Sequence, residues 1–384
     1  MKTTRIAVLA LLLAACRVGG TTTTGQVTTT LVSTSTSGVD TTSSAAGGID
    51  VLIAAAQAEG TLTTIGLPRE YCNYGGLIDG FEATYGIDVN ELAPDAGPAD
   101  VLEAIRVNQG GGAPQAPDVI DIGLTFGPEA MAEGLIRQYK VETWDSIPDH
   151  AKDADGFWYG GYYGVLAFEV NSGIVPDVPA TWSDLLDPQY NGQVALAGDP
   201  RVSNQAIFTV YAAALANGGS LDDAQLGLDY FAQLNEVGSL APVIAESTTV
   251  ASGQTPITIR WTYNALPNRD ANSPSAAIEV VVPDMGRLAG VYVQAISALA
   301  PHPSAAKLWM EYLYSDEGQL AWLEGYCNPI RYDDLVGNDV VPPELAARLP
   351  DFTGAAFPSP DQASVARELI TANWDAVVGL EVGG

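Results

Sequence analysis

The residues able to do chemistry in this 384-residue chain are few and scattered. There are three cysteines, Cys16, Cys72 and Cys327, and two histidines, His150 and His302. Both histidines stand near prolines in turn-like settings, where a surface ring is expected. No H-E-x-x-H pair, no phosphate-cradling P-loop and no G-x-S-x-G nucleophile occurs. The doublets Asp222-Asp223 and Asp333-Asp334 read as helix-start or loop charges. A hydrolase built on carboxylates alone is the enzyme alternative. No enzyme activity, cofactor or metal site is expected.

Cys16 closes a distinctive start. Lys2 and Arg5 precede an apolar run, Ile6 to Leu13, and Leu13-Ala14-Ala15-Cys16 ends it. A charged end, a short apolar core and small residues at the exit read as a secretory signal. The run is too short to cross a bilayer, which takes about 20 residues. The ending resembles a bacterial lipobox, and that resemblance implies removal of residues 1–15 and a lipid on Cys16. Cys72 and Cys327 then remain as an even pair in an oxidising compartment. They sit in similar settings, Glu70-Tyr71-Cys72-Asn73 and Gly325-Tyr326-Cys327-Asn328. A disulfide is expected, the alternative being two separate buried thiols.

Residues 16–48 follow as a tether. From Val18 to Gly48 the chain is almost all Thr, Ser, Gly and Val, with Asp40 its one charge. Such a stretch buries too little apolar surface to offset its ordering entropy. A body from about Ile49 to Leu380 is too large for one compact core and suits two lobes. The formal net charge is -30, and removing Lys2 and Arg5 takes it to -32. That excludes nucleic-acid binding and opposes lying flat on an anionic membrane. It leaves open a field that draws in cations.

The elements that must position a site alternate. Thr61–Gly66 reads as a strand and Tyr74–Tyr85 as a helix with Leu77, Ile78 and Phe81 inward. A strand starts at Ile87, a helix spans Asp100–Asn108, a strand covers Pro117–Ile122 and a helix Pro128–Gly134. Beyond the long β run Gly164–Val170 come a short helix at Trp182–Leu186, a strand at Val194–Ala197 and a helix at Ser203–Ala216. A helix at Leu221–Asn235, capped by Ser220, precedes strands at Thr255–Tyr263 and Ile278–Val282. A second long β run covers Tyr292–Leu299, and helices follow at Pro303–Tyr314 and Asp361–Val378. The alternation implies α/β lobes whose mixed sheets are covered by helices.

Several phrases resemble bacterial solute-binding proteins of ABC importers, with the type 2 periplasmic-binding fold. They are Leu77-Ile78-Asp79-Gly80-Phe81 with Thr84-Tyr85-Gly86-Ile87, then Ala116-Pro117-Asp118-Val119, then Gly156-Phe157-Trp158-Tyr159-Gly160. Pro179 to Pro188 with Gly192-Gln193-Val194-Ala195-Leu196 is the most specific. Pro301-His302-Pro303-Ser304-Ala305-Ala306-Lys307 and Ser315-Asp316-Glu317-Gly318-Gln319 complete the series. The resemblance implies two lobes, residues 49–163 with 296–384 and residues 164–295, joined by two hinge strands. It implies a monomer, anchored outside the cell membrane, that closes on a small polar solute and hands it to an importer permease. A sensor or surface ligand-binding protein of the same fold is the alternative.

By segment, the resemblance carries ligand-binding roles onto Tyr71, Asn73, Thr125, Phe126, Asp199, Arg201, Ser203, Trp261, Tyr263, Tyr292, Gln294 and Tyr326. Tyr74 lies in the same loop as Tyr71, and Tyr162 and Tyr163 lie beside the first hinge. Trp182, Trp309 and Trp322 read as packing. The implied solute is a polyamine, an aminophosphonate or a ferric complex. Ferric binders have adjacent tyrosines where this chain has Arg260-Trp261-Thr262-Tyr263. Of the carboxylates of polyamine binders only Asp199 has a counterpart. Arg69, Arg201 and Arg260 suit an anionic or zwitterionic ligand.

Overall fold

The computed structural model describes residues 46–109 and 116–383. The secretory signal, Cys16 and nearly all of the Thr/Ser/Gly segment lie outside the described residues. The elements are α1 (Ala46–Glu59), β1 (Thr61–Ile65), α2 (Tyr74–Tyr85), β2 (Asp88–Leu92), α3 (Pro98–Arg106), β3 (Val119–Gly123), α4 (Phe126–Ala132) and β4 (Ile136–Arg137). After β5 (Tyr159–Asn171) and β6 (Val194–Leu196) come α5 (Asn204–Ala216), α6 (Gln225–Glu236), β7 (Leu240–Ile244), α7 (Ser247–Ser252), β8 (Ile257–Trp261), α8 (Thr262–Asn272) and β9 (Ile278–Val281). The chain closes with β10 (Ala289–Ser297), α9 (Pro303–Leu313), α10 (Asp316–Glu324), β11 (Asn328–Pro329), α11 (Tyr332–Gly337), α12 (Pro343–Ala346) and α13 (Pro360–Val377).

One strand organises the sheet. β5 is an almost wholly buried run of aromatic, aliphatic and glycine residues, the pattern of a strand covered on both faces. Its first part, Tyr159 to Val165, pairs antiparallel with β10. Its second part, Leu166 to Val170, pairs antiparallel with β8, and Phe168 to Asn171 also pair with β9. The sheet therefore has two halves, β3, β4, β10 and β11 around the first part and β6, β7, β8 and β9 around the second. β1 and β2 form a separate parallel pair.

The chain passes between the halves along β5 and again between β9 and β10. A third passage follows α12. There Ala356 N donates to Arg287 O at 2.8 Å and Ala289 N to Ala356 O at 2.9 Å, laying the segment beside the start of β10. α13 then packs on α5 and α6. The closing helix thus sits with elements of residues 164–295, whereas the sequence reading grouped all of 296–384 with the other half.

Among the differences from the sequence reading, three have a clear local cause. α1 begins at Ala46, inside the segment read as tether, where alanines and glycines lead into Ile49 and Leu52 packed on the core. α6 starts at Gln225, because Ser220 and Asp223 hold a turn instead: Ser220 Oγ accepts from Asp222 N at 3.2 Å and Asp223 Oδ1 from Gln225 N at 2.9 Å. α8 was absent from the reading, which ran the strand to Tyr263. Pro267 hid it, and the helix carries that proline as its sixth residue.

Candidate functional site

Tyrosines from four elements converge where β5 passes from one half to the other. Tyr71 lies in the loop after β1, Tyr162 in β5, Tyr263 in the first turn of α8 and Tyr292 in β10. The register pairs Tyr292 with Tyr162, and their rings stack with centroids 5.6 Å apart. Tyr71 meets Tyr263 at 5.4 Å, Tyr162 at 6.0 Å and Tyr292 at 6.1 Å, each edge to face. Trp261 stacks on Tyr263, and Trp322 backs Tyr162 and Tyr74.

The Tyr71 loop owes its path to a sharp turn. Cys72 and Asn73 hold φ of 50° and 60°, left-handed values that non-glycine residues adopt at a cost. A disulfide joins Cys72 to Cys327, with Cα atoms 5.5 Å apart. Gly325 permits that approach, because a Cβ there would collide with the backbone of Cys72 and Asn73. Opposite, Gly164 leaves the space that the Tyr263 ring fills.

A carboxylate lies under the rings. Asp121 of β3 is in register with Gln294 of β10. Its Oδ2 accepts from Tyr74 Oη at 2.6 Å and Tyr162 Oη at 2.7 Å, and Gln294 Nε2 donates to Tyr74 Oη at 3.1 Å. Asp121 Oδ1 has no partner. Burial raises the Asp121 pKa to about 7 against the pull of hydrogen bonds from Tyr74, Tyr162 and Gln294, and no Lys, Arg or His among the described residues helps to hold its charge. The hydroxyls of Tyr71 and Tyr263 are near enough to influence each other's titration and that of Tyr292, yet neither reaches a partner at hydrogen-bonding geometry. Desolvation first, then neighbouring oxygens, pushes both phenols far above their usual range.

Each unpartnered buried polar atom costs on the order of 1–3 kcal/mol. Asp121 Oδ1, Tyr71 Oη and Tyr263 Oη sit together here, the indole Nε1 atoms of Trp261 and Trp322 in the same cluster are also without partners, and so is Thr125 Oγ1 in the turn after β3. Burying them from several elements suits a ligand that supplies the missing bonds. Among the described residues no three His, Cys, Asp or Glu side chains group as for a metal ion. The oxygens on offer are phenolic, with one carboxylate.

Of the positions singled out in the sequence, Tyr71, Trp261, Tyr263, Tyr292 and Gln294 come together in this cluster. Thr125 is buried, and Phe126 lies under the Arg367 guanidinium of α13 at 4.6 Å. Asn73 turns to α10, where Nδ2 donates to Ala321 O at 3.0 Å. Asp199 and Arg201 pair at 2.8 Å, and Arg201 reaches on to Asp375 at 3.5 Å. Ser203 caps α5 through Ala206 N. The Tyr326 hydroxyl donates to Asp270. Arg69 is held by Asp79 and Glu91, and Arg260 by Glu169. Asp121 and Asn204, which acts on Tyr292 from the start of α5, were missed. A carboxylate inside Val119–Gly123, buried throughout, was the available signal for Asp121. Trp322, read as packing, is a wall of the cluster.

The family model "Bacterial extracellular solute-binding protein" matches residues 115–357. An uncharacterized protein of Haemophilus influenzae is 33% identical over 220 residues, 53% of this chain and 60% of that protein. Iron uptake protein A1 of Synechocystis is 26% identical over 261 residues, 65% of this chain and 70% of that protein. Among solved structures, the periplasmic binding protein AfuA of Actinobacillus pleuropneumoniae, with fructose-6-phosphate bound, aligns with a TM-score of 0.64 at 22% identity. That alignment covers 83% of this chain and 98% of AfuA.

Proposed function

The chain belongs to the bacterial extracellular solute-binding protein family, and on that premise we propose that it captures a compact hard cation, ferric ion, between the halves of its sheet and delivers it to an ABC importer. The supporting observation is the set of phenol oxygens of Tyr71, Tyr263 and Tyr292 in mutual reach, with Asp121 Oδ1 unpartnered beside them. Hard oxygen donors suit a hard ion. Neighbouring rings already touch at 5.4 to 6.1 Å, which leaves space for an ion rather than for a stacked organic cation. The named iron role of the Synechocystis relative points the same way. Only one tyrosine stands in Arg260-Trp261-Thr262-Tyr263, and in this proposal Tyr71 and Tyr292, which approach Tyr263, supply the further phenols. The anchor at Cys16 and an extracytoplasmic location belong to the same proposal.

A second reading, a phosphate-bearing solute, draws support from the starts of α5 and α8, which bring Asn204 and Tyr263 to the cluster. Helix starts bind anions through free N–H groups.

Binding is tested on the purified protein with ferric citrate, spermidine, 2-aminoethylphosphonate and fructose-6-phosphate, by thermal shift and by visible absorbance. Ferric citrate is expected to raise the melting temperature and to give a phenolate-to-iron colour that Tyr263→Phe weakens. Stabilisation by a phosphate ester alone, without colour, establishes the second reading instead.

A further inference from the structure

Away from the cluster, a side-chain hydrogen bond ties the two halves together. Tyr326 stands between α10 and β11, and β11 pairs with the first part of β5. Its hydroxyl donates to Asp270 of α8, which packs on β9 and on β5. The acceptor is held as an anion: Arg269 beside it, then the Tyr326 hydroxyl, keeps the Asp270 carboxyl below its usual range. The ring is held as well. The Arg348 guanidinium lies over it at 4.0 Å, and Arg348 Nη1 donates to Glu324 O at 3.0 Å.

The backbone at this point is fixed by more than packing. Tyr326 has a φ of 65°, and its neighbour Cys327 is bonded to Cys72, which follows Tyr71. One disulfide therefore separates the central ring of the solute site from the ring that bonds the other half.

We infer that Tyr326 and Asp270 form a clasp that fastens the two halves over the Tyr71–Tyr263 site, and that the Cys72–Cys327 disulfide couples the clasp to Tyr71. The role in solute retention rests on the proposed solute site, while the clasp is measurable without any solute. A phenol–carboxylate bond forms only when the halves are closed, so it shifts the balance of closed to open states. Such a charge-assisted bond, partly exposed, is worth about three- to tenfold in that balance. The apparent affinity follows the closed fraction in the same proportion.

Hydrogen–deuterium exchange of the full chain without added solute tests the clasp, read at peptides covering residues 69–75 and 259–266. Tyr326→Phe keeps the ring under Arg348 and removes the donor, and Asp270→Asn removes the charge. Each is expected to speed exchange in both peptides about three- to tenfold, and the double variant no further. Unchanged exchange in either single variant, or independent effects that multiply, overturns the clasp. Cys72→Ser with Cys327→Ser is expected to speed exchange at 259–266 by the same factor. If that variant fails to fold, reduction of the folded protein replaces it. Exchange unchanged on losing the disulfide overturns the coupling. Failure of every solute to bind overturns the solute-site reading alone.

Discussion

Tyr71 and Tyr263 meet edge to face with ring centroids 5.4 Å apart, one from the loop after β1 and the other from the first turn of α8. Each comes from a different half of the fold, and each buries a hydroxyl without a partner. Their contact closes the proposed site, and in that proposal their oxygens are what it offers a ligand.

Removing either hydroxyl should separate binding from stability. Tyr71→Phe and Tyr263→Phe each relieve a buried unpartnered group, so the solute-free melting temperature is expected to hold or to rise, by up to about 1 kcal/mol in stability. Ferric citrate affinity is expected to fall at least about tenfold, measured by titration calorimetry. A lower solute-free melting temperature with unchanged affinity contradicts the assignment.

The pH dependence follows from Asp121. Its folded pKa is raised to about 7, whereas the unfolded chain titrates it as an ordinary carboxylate. The folded state therefore holds a proton that the unfolded state has released. The stability this contributes is present in full below about pH 4 and is lost as the pH rises through about 7, a change on the order of a few kcal/mol. Asp121→Asn is expected to flatten the fall in melting temperature between pH 4 and pH 7. Cation binding runs the other way and strengthens toward pH 8 as Asp121 ionises.

The Cys72–Cys327 bond closes a loop with a sequence separation of 255. Replacing both cysteines with serine is expected to cost roughly 2–5 kcal/mol, read from the urea midpoint. Non-reducing peptide mapping should recover the Cys72 and Cys327 peptides as one species.

Glu169 is fully buried and bonds Arg260 Nη1 at 3.1 Å and Asn268 Nδ2 at 2.5 Å. Glu169→Ala leaves the Arg260 charge without its anion and is expected to cost about 3–5 kcal/mol. Glu169→Leu with Arg260→Met is expected to recover much of that loss. Thermal denaturation of the three proteins decides it.

Much of the path to the site was legible. Tyr74–Tyr85 read as a helix because Leu77, Ile78 and Phe81 recur at helical spacing and Gly86 ends it, and α2 has those bounds. The long β runs foretold β5 and β10 because strands buried on both faces need continuous apolar sequence. Tyr263 was singled out by segment through the family resemblance but placed at the end of a strand, since Pro267 argues locally against α8. Asp199 and Arg201 matched pocket positions by order along the chain. Their mutual ion pair was the alternative reading, and the structure shows it, whereas the packing of α13 that brings Asp375 to Arg201 was invisible there.

The sequence by itself determined the α/β alternation and the two long strands, which rest on local composition and periodicity. The family was legible through the resemblance of several phrases, and the cysteine count made a Cys72–Cys327 bridge the expectation, with two separate thiols as the alternative that the structure removes. Only the tertiary structure decided which oxygens face one another. Asp121, Tyr162 and Tyr292 come together through strand register, and Tyr71 joins them through a left-handed turn and a disulfide. Register and turn geometry depend on contacts between residues far apart in the chain, which no local pattern encodes.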